Sequence, residues 1–210
     1  MSRDNILHKV RTALGRSADQ PPPPPPPVRI SVPVVAMETK VASFRERLEA
    51  LAGKVHVAES AEDALDYVRR VVDGRPAVAS NAPFLAECGI TQLPSVRSGI
   101  VDREELRALC ATCAVGITSA DYCLADTGTL VMISSREEAR MISLLPPAHI
   151  AVVPRERLLS GLDELFTAVP MPAEQSSSMV LITGPSRTAD IEQILVRGVH
   201  GPGEIHVVIA

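Results

Sequence analysis

Apolar positions recur along the chain at two spacings, and the alternation between them predicts helices and strands in turn. Ile6, Leu7, Val10 and Leu14 fall on one face of a short amphipathic helix over residues 2–15. Seven consecutive prolines follow, Pro21 to Pro27. Without backbone donors they read as a polyproline II spacer of roughly 20 Å, at ~3.1 Å per residue. Such a run is a linker, a ligand for an SH3-type or WW-type module, or an arm toward a partner subunit. From Glu38 the pattern changes. Val41, Phe44, Leu48 and Leu51 mark a helix ending at Gly53, and residues 54–58 read as a strand. Ser60 with Asp63 looks like a capping box that opens a helix through Val72, stopped by Gly74.

Residues 76–80 form a second expected strand, with a turn at Asn81-Ala82-Pro83 into another helical turn. A helix over 102–113 leads into a strand at 115–118, and strands are expected at 129–134 and 149–153. Helix is predicted for 155–169, strand for 179–183, a tight loop for 184–187, helix for 188–197 and strand for 204–209. Repeated strand–loop–helix–strand units predict an α/β fold, a mostly parallel sheet flanked by helices. The division is an N-terminal helix with its Pro-rich linker (1–37) and an α/β domain (38–210).

Composition narrows the function classes. Apolar residues make up 46% of the chain and aromatics only 2%, so the core is built from Val, Ile, Leu and Ala. Few flat rings tell against single-stranded nucleic acid as a partner. A net charge of −4 without a basic stripe tells against phosphate-backbone binding. Apolar stretches fall short of the ~20 residues of a membrane span. The segment Met1-Ser2-Arg3-Asp4-Asn5 lacks the apolar run of a secretory signal, and four cysteines without export predict reduced thiols in the cytoplasm. Cys110 and Cys113 sit late in an expected helix, while Cys88 and Cys123 stand alone, so a zinc site lacks ligands and an iron–sulfur run is missing. No Gly-rich dinucleotide fingerprint or Walker motif occurs. The four cysteines read as small buried residues, and no cofactor or metal is expected in this chain.

Ligands of open α/β sheets gather at the carboxyl ends of strands. Three polar clusters fall there: Ser80-Asn81; Thr118-Ser119-Ala120-Asp121 continuing to Asp126-Thr127-Gly128-Thr129; and Thr183-Gly184-Pro185-Ser186-Arg187-Thr188. The last precedes an expected helix whose N-terminus offers free N–H groups to an anion, with Arg187 adding a bidentate contact. Ordinary capping explains it equally, with Thr188 as N-cap and Asp190 and Glu192 complementing the dipole. His200, in a Gly-Pro-Gly turn, is a candidate acid or base, or a structural histidine. Asp126-Thr127-Gly128 matches the core of aspartic proteases. That chemistry needs two facing copies on a mostly β fold, which the α/β pattern contradicts, and a β-turn is the alternative.

Four ordered blocks carry a family resemblance. They are residues 115–130 around Ala125-Asp126-Thr127-Gly128-Thr129, Ser143-Leu144-Leu145-Pro146-Pro147-Ala148-His149-Ile150, Thr183 to Glu192, and Gly198-Val199-His200-Gly201-Pro202-Gly203. Together they resemble the LUD-domain family, and the absence of an iron–sulfur module is similar to its lactate utilisation protein C branch. The resemblance implies a three-layer sandwich like that of glucosamine-phosphate isomerases, ribose-phosphate isomerases and CoA transferases. It implies an accessory subunit in oxidation of L-lactate to pyruvate, alongside iron–sulfur partner proteins. Many relatives carry Glu at the position of Asp126 and Gly at that of Ser119.

On this reading Asp121, Asp126, Thr127, Gly128 and Thr129 form one wall of a small-carboxylate pocket, and Gly184, Ser186, Arg187 and His200 the other. Arg187 would hold the carboxylate, and His200 or Asp126 would take the hydroxyl proton. Two alternatives stand beside it. One is a transferase or isomerase acting on a CoA ester or sugar phosphate, with Asp126 as its acid. The other is a non-catalytic structural or regulatory partner, and an oligomer is compatible with all three.

Overall fold

Side chains that alternate along buried strands form two apolar rows, one for each face of a central sheet, and both faces are covered. The computed structural model describes residues 2–17, 20, 21, 24, 34–189 and 195–210, and for 188, 189 and 195–197 the backbone only. The elements run α1 (Arg3–Ala13), α2 (Met37–Ala50), β1 (Lys54–Val57), α3 (Ala61–Val72), β2 (Ala77–Ala79), α4 (Pro83–Glu87), β3 (Val96–Arg97), α5 (Arg103–Thr112) and β4 (Val115–Ser119). They continue with β5 (Tyr122–Leu124), β6 (Thr129–Ile133), β7 (Ala148–Val153), β8 (Leu158–Leu159), α6 (Leu162–Ala168), α7 (Pro172–Gln175), β9 (Met179–Ile182), β10 (Arg187–Ala189), β11 (Leu195–Arg197) and β12 (Glu204–Ile209). The chain divides into two compact units, 1–31 and 32–210. In the first, α1 is capped by Ser2 and leaves Ile6, Val10 and Leu14 exposed. The expected proline spacer lies largely outside the described residues.

Six strands in the order β1-β12-β7-β4-β2-β3 pair in parallel throughout. On one face Val115, Ile117, Ile150 and Val152 pack with Ala64, Val68 and Val72 of α3 and Leu85 of α4. On the other, Ala151, Val153, Ile205 and Val207 meet Phe44 and Leu48 of α2 and the inner row of a second sheet. That sheet runs β8-β5-β6-β9, with β5–β6 and β6–β9 antiparallel. Leu106 and Cys110 of α5, with Cys113 just after it, cover Val78 beside it. The layers are therefore helices, parallel sheet, then helices with a small sheet, the α/β sandwich expected from the strand–helix alternation.

Close backbone approach explains two glycines. A Cβ on Gly116 would lie 2.0 Å from the Ile142 carbonyl oxygen, because the segment after β6 packs its backbone on the middle of β4. Gly128 (φ +66°) closes the β5–β6 hairpin, and a Cβ there would lie 2.6 Å from the backbone nitrogen of Leu48 in α2.

Helix boundaries follow local chemistry. Ser60 Oγ accepts from the Asp63 N–H at 3.2 Å, and the Asp102 carboxylate accepts from the Glu105 N–H at 2.8 Å.

Two expected helices are corrected. Within 155–169, residues 155–157 make one 3-10 turn, Leu158–Leu159 become β8, and only Leu162–Ala168 is helical. Fully extended backbone at Gly161 and pairing of β8 with β5 break the helix. Of the helix expected over 188–197, the described ends are strand instead: β10 pairs antiparallel with β11, in register Arg187↔Arg197 and Ala189↔Leu195. Residues 190–194 lie outside the described residues. The aliphatic pair Leu195-Val196 favours an extended chain once a cross-strand partner exists. Thr188 is consequently not an N-cap, and the anion site at a helix N-terminus is lost with that helix.

Candidate functional site

The carboxyl ends of β2 and β4 lie side by side, and the segment following β6 folds over them. Asn81 N–H donates to the Glu137 carbonyl oxygen at 2.9 Å, which pins this segment above β2. Beneath it Glu138 is only 8% exposed. Its Oε1 accepts from Ser80 Oγ at 2.8 Å and from the Ser119 N–H at 2.7 Å. Its Oε2 is buried with no hydrogen-bond partner among the described residues. Burial pushes the Glu138 carboxyl up to about 8; the hydrogen bonds from Ser80 and Ser119 oppose this, and the nearby charges of Asp121 and Glu137 reinforce it. Glu138 is thus a mostly neutral acid at pH 7.

Glu138 forms part of the wall of a cleft of about 600 Å³, which Arg103, Arg136 and Arg140 also line. Arg103 opens α5, and Arg140 donates to Ser178 Oγ at 3.3 Å. Three arginines lining one cleft offer an anion several donors, and the buried acid of Glu138 forms part of the same wall. Cleft size and position, at strand carboxyl ends, fit a small-molecule site.

The expected site residues do not form a single pocket. Asp121 directly precedes β5 and Asp126 follows it after Ala125, so four residues, three of them an extended strand of about 10 Å, separate the two acids. Asp121 lines a second cleft of about 500 Å³ with Tyr122 and Arg157. Burial raises its carboxyl, against the Ile133 N–H that donates to its Oδ2 at 2.6 Å. Asp126 is exposed and opens to a third cleft, of about 570 Å³, beside Ser43, Ser160 and Glu164. There Lys40, 9% exposed, pairs with Glu164 at 3.1 Å. Burial pushes the Glu164 carboxyl up, but hydrogen bonds from the Ser160 N–H and Lys40 outweigh it and hold the group below its ordinary value.

One expected juxtaposition is present. Thr129 Oγ1 lies 2.8 Å from both Thr127 Oγ1 and Thr183 Oγ1, joining the two strand-end loops. Gly128 and Gly184 both abut α2, at Leu48 and Leu51. Ser186 N–H donates to the Pro202 carbonyl at 2.8 Å and its carbonyl accepts from the Gly198 N–H at 3.0 Å, so this turn is tied by backbone. Arg187 and His200 are exposed. Thr127, Gly128, Thr129, Gly184, Ser186, Arg187 and His200 line none of these three clefts.

A second buried titratable group, His149 on β7, is completely buried and hydrogen-bonded to Thr118 at 2.8 Å. Burial lowers its imidazole to about 4, so it is neutral. The four cysteines are free and buried. Among the described residues no group of His, Cys, Asp and Glu is placed to hold a metal ion, and no helix is long and apolar enough to cross a membrane.

A six-stranded parallel sheet covered on both faces, with a polar, arginine-lined cleft at its strand carboxyl ends, defines an α/β sandwich protein. Its fold is shared by a crystal structure of a DUF162-family protein from Deinococcus radiodurans, with a TM-score of 0.65 and 17% identity over 84% of this chain and 99% of the other. The chain belongs to the LUD-domain family, whose model matches residues 41–210. Similar relatives include the lactate utilization protein C of Halalkalibacterium halodurans, 34% identical over 67% of this chain and 65% of that one. Another is the lactate utilization protein C of Shouchella clausii, 30% identical over 96% of this chain and 94% of its own.

Glu138 was not among the residues singled out from sequence. It sits in the charge run Arg136-Glu137-Glu138, which reads as a solvated turn. The one signal lay elsewhere, in Ser80-Asn81 at a strand end.

Proposed function

We propose that the protein serves lactate utilisation by binding a small carboxylate, L-lactate or pyruvate, in the Glu138 cleft. The observation that carries this reading is the pairing of Arg103, Arg136 and Arg140 with a buried, half-satisfied acid at the sheet's carboxyl edge. The names of its relatives supply the pathway. Arginine would neutralise the ligand carboxylate, and the neutral Glu138 would donate to a second ligand oxygen. These side chains bind anions and hold protons but accept no electrons, so oxidation of lactate would fall to iron–sulfur partner proteins. Residues 38–210 would be the working domain and 1–37 its arm. Free, buried cysteines fit a reducing cytoplasm.

Calorimetry with L-lactate and pyruvate tests this directly. The double variant Arg136→Ala/Arg140→Ala should bind at least about tenfold more weakly, the loss of one charge-assisted contact or more. Arg187→Ala, on the distant-in-sequence hairpin strand, should leave affinity unchanged. Wild-type affinity in the double variant refutes the assignment and favours a structural or regulatory role.

A second reading has one observation in its favour. A transferase acting on a CoA ester needs an acidic nucleophile or base, and Glu138 is a better-placed acid for it than the exposed Asp126. A covalent acyl adduct at Glu138, trapped after incubation with acyl-CoA and found by intact-mass analysis, would select this reading.

A further inference from the structure

We infer that the Glu138 cleft takes up its carboxylate ligand together with one proton, held on Glu138 Oε2 and shared with a ligand oxygen. The inference rests on the small-carboxylate reading of the cleft. Its geometric basis is the unequal surroundings of the two carboxyl oxygens. Oε1 accepts two hydrogen bonds, from Ser80 Oγ and from the Ser119 N–H. Oε2 accepts and donates none among the described residues, although the residue is more than nine-tenths buried and lines the cleft. A buried polar atom without a protein partner is costly, so a hydrogen bond to a ligand oxygen would offset that cost.

The charges facing Glu138 act in one direction for its acid form and in the other for its anion. Glu137, on its own segment, and Asp121, at the end of β4, oppose a negative charge there. Arg103 from α5 and Arg136 and Arg140 from the covering segment line the cleft itself. An anionic Glu138 would add a negative charge to the wall of the cleft that the ligand anion enters. A neutral one adds no such charge and offers a donor. The high titration point that burial gives Glu138, about 8, keeps the acid form available at neutral pH.

The test is calorimetric binding of L-lactate, pyruvate and acetate between pH 6 and 9, in buffers of different ionisation enthalpy. The expected result is proton uptake near zero at pH 6, rising toward about one per ligand at pH 9, with affinity falling about tenfold between pH 7 and 9. Glu138→Gln, whose amide donates without titrating, should bind and lose this pH slope. Binding by wild type without proton uptake, or the same slope in Glu138→Gln, overturns the inference and leaves the carboxylate reading standing. Binding of none of the three carboxylates at any pH overturns both. Should Glu138→Gln fold poorly, the buffer dependence of the wild-type heat decides alone.

Discussion

Replacing Glu138 by glutamine isolates the free energy stored in one buried acid, even without a ligand. In the unfolded chain the carboxyl titrates near its ordinary 4.5; in the fold, burial moves it to about 8. Below 4.5 the group is protonated in both states and contributes no pH dependence. Between 4.5 and 8 the unfolded chain ionises while the folded one keeps its proton, so stability falls as pH rises. Above about 8 both are ionised and the slope vanishes. Three and a half pH units at ~1.4 kcal/mol each set a ceiling of about 5 kcal/mol. Rehydration from the adjoining cleft lowers the measured figure.

His149 works in the opposite sense. Its lowered value makes the fold lose stability as pH falls from 6.5 toward about 4. The raw pH profile therefore mixes the two, and the comparison must be between wild type and Glu138→Gln. Urea unfolding of both at pH 5, 6, 7, 8 and 9 gives that difference. Glu138→Gln should gain on wild type by several kcal/mol across this range, with the gain levelling off above pH 8. Parallel profiles for the two proteins would refute the burial argument.

Two further perturbations probe the scaffold. Gly116→Ala pushes a methyl group into the Ile142 carbonyl oxygen and should cost about 3 kcal/mol, lowering the melting temperature by about 6–12 °C; an unchanged melt contradicts the close packing on β4. Lys40→Met strands Glu164 and should cost about 1–3 kcal/mol at pH 7, discounted because Glu164 is partly exposed. Since the Glu164 carboxyl is held below 4.5, its pairing contributes above that pH and is lost as pH falls through the lowered value; an equal cost of Lys40→Met at pH 3 and 7 in urea unfolding would discredit the pair.

What could be read in advance follows the range of the interaction involved. The strands β2, β4, β7 and β12 announce themselves as short aliphatic runs, because a buried parallel strand needs apolar side chains on both faces. Helices α3 and α5 are marked by Ser60 and Asp102, whose caps act over three residues. The hairpin β10–β11 was hidden, since its strands are fixed by each other and their local sequence suits a helix equally well. Glu138 was hidden for the same reason at longer range. Its hydrogen-bonding groups come from positions 58 and 19 residues earlier, and nothing local separates a buried acid from a solvated one. The polar strand ends at Ser80 and Asp121 were legible as such, but not the distance that β5 puts between Asp121 and Asp126.

The position of β12 has a consequence for synthesis of the chain. It lies between β1 and β7, so the edge strand β1 is joined to the rest of the sheet only through residues 204–209. Strand β1 emerges from the ribosome some 150 residues before its neighbour does, an interval of about 8–30 s at about 5–20 residues per second. Throughout that interval Val55 and Val57 have no strand to pair with, and for its last third the edge of β7 that will meet β12 stands open as well. The fold can therefore be assembled only after translation has passed the whole sheet. A nascent chain arrested before residue 204 would carry two unpaired parallel edges, the surface on which holding chaperones act and from which aggregation starts.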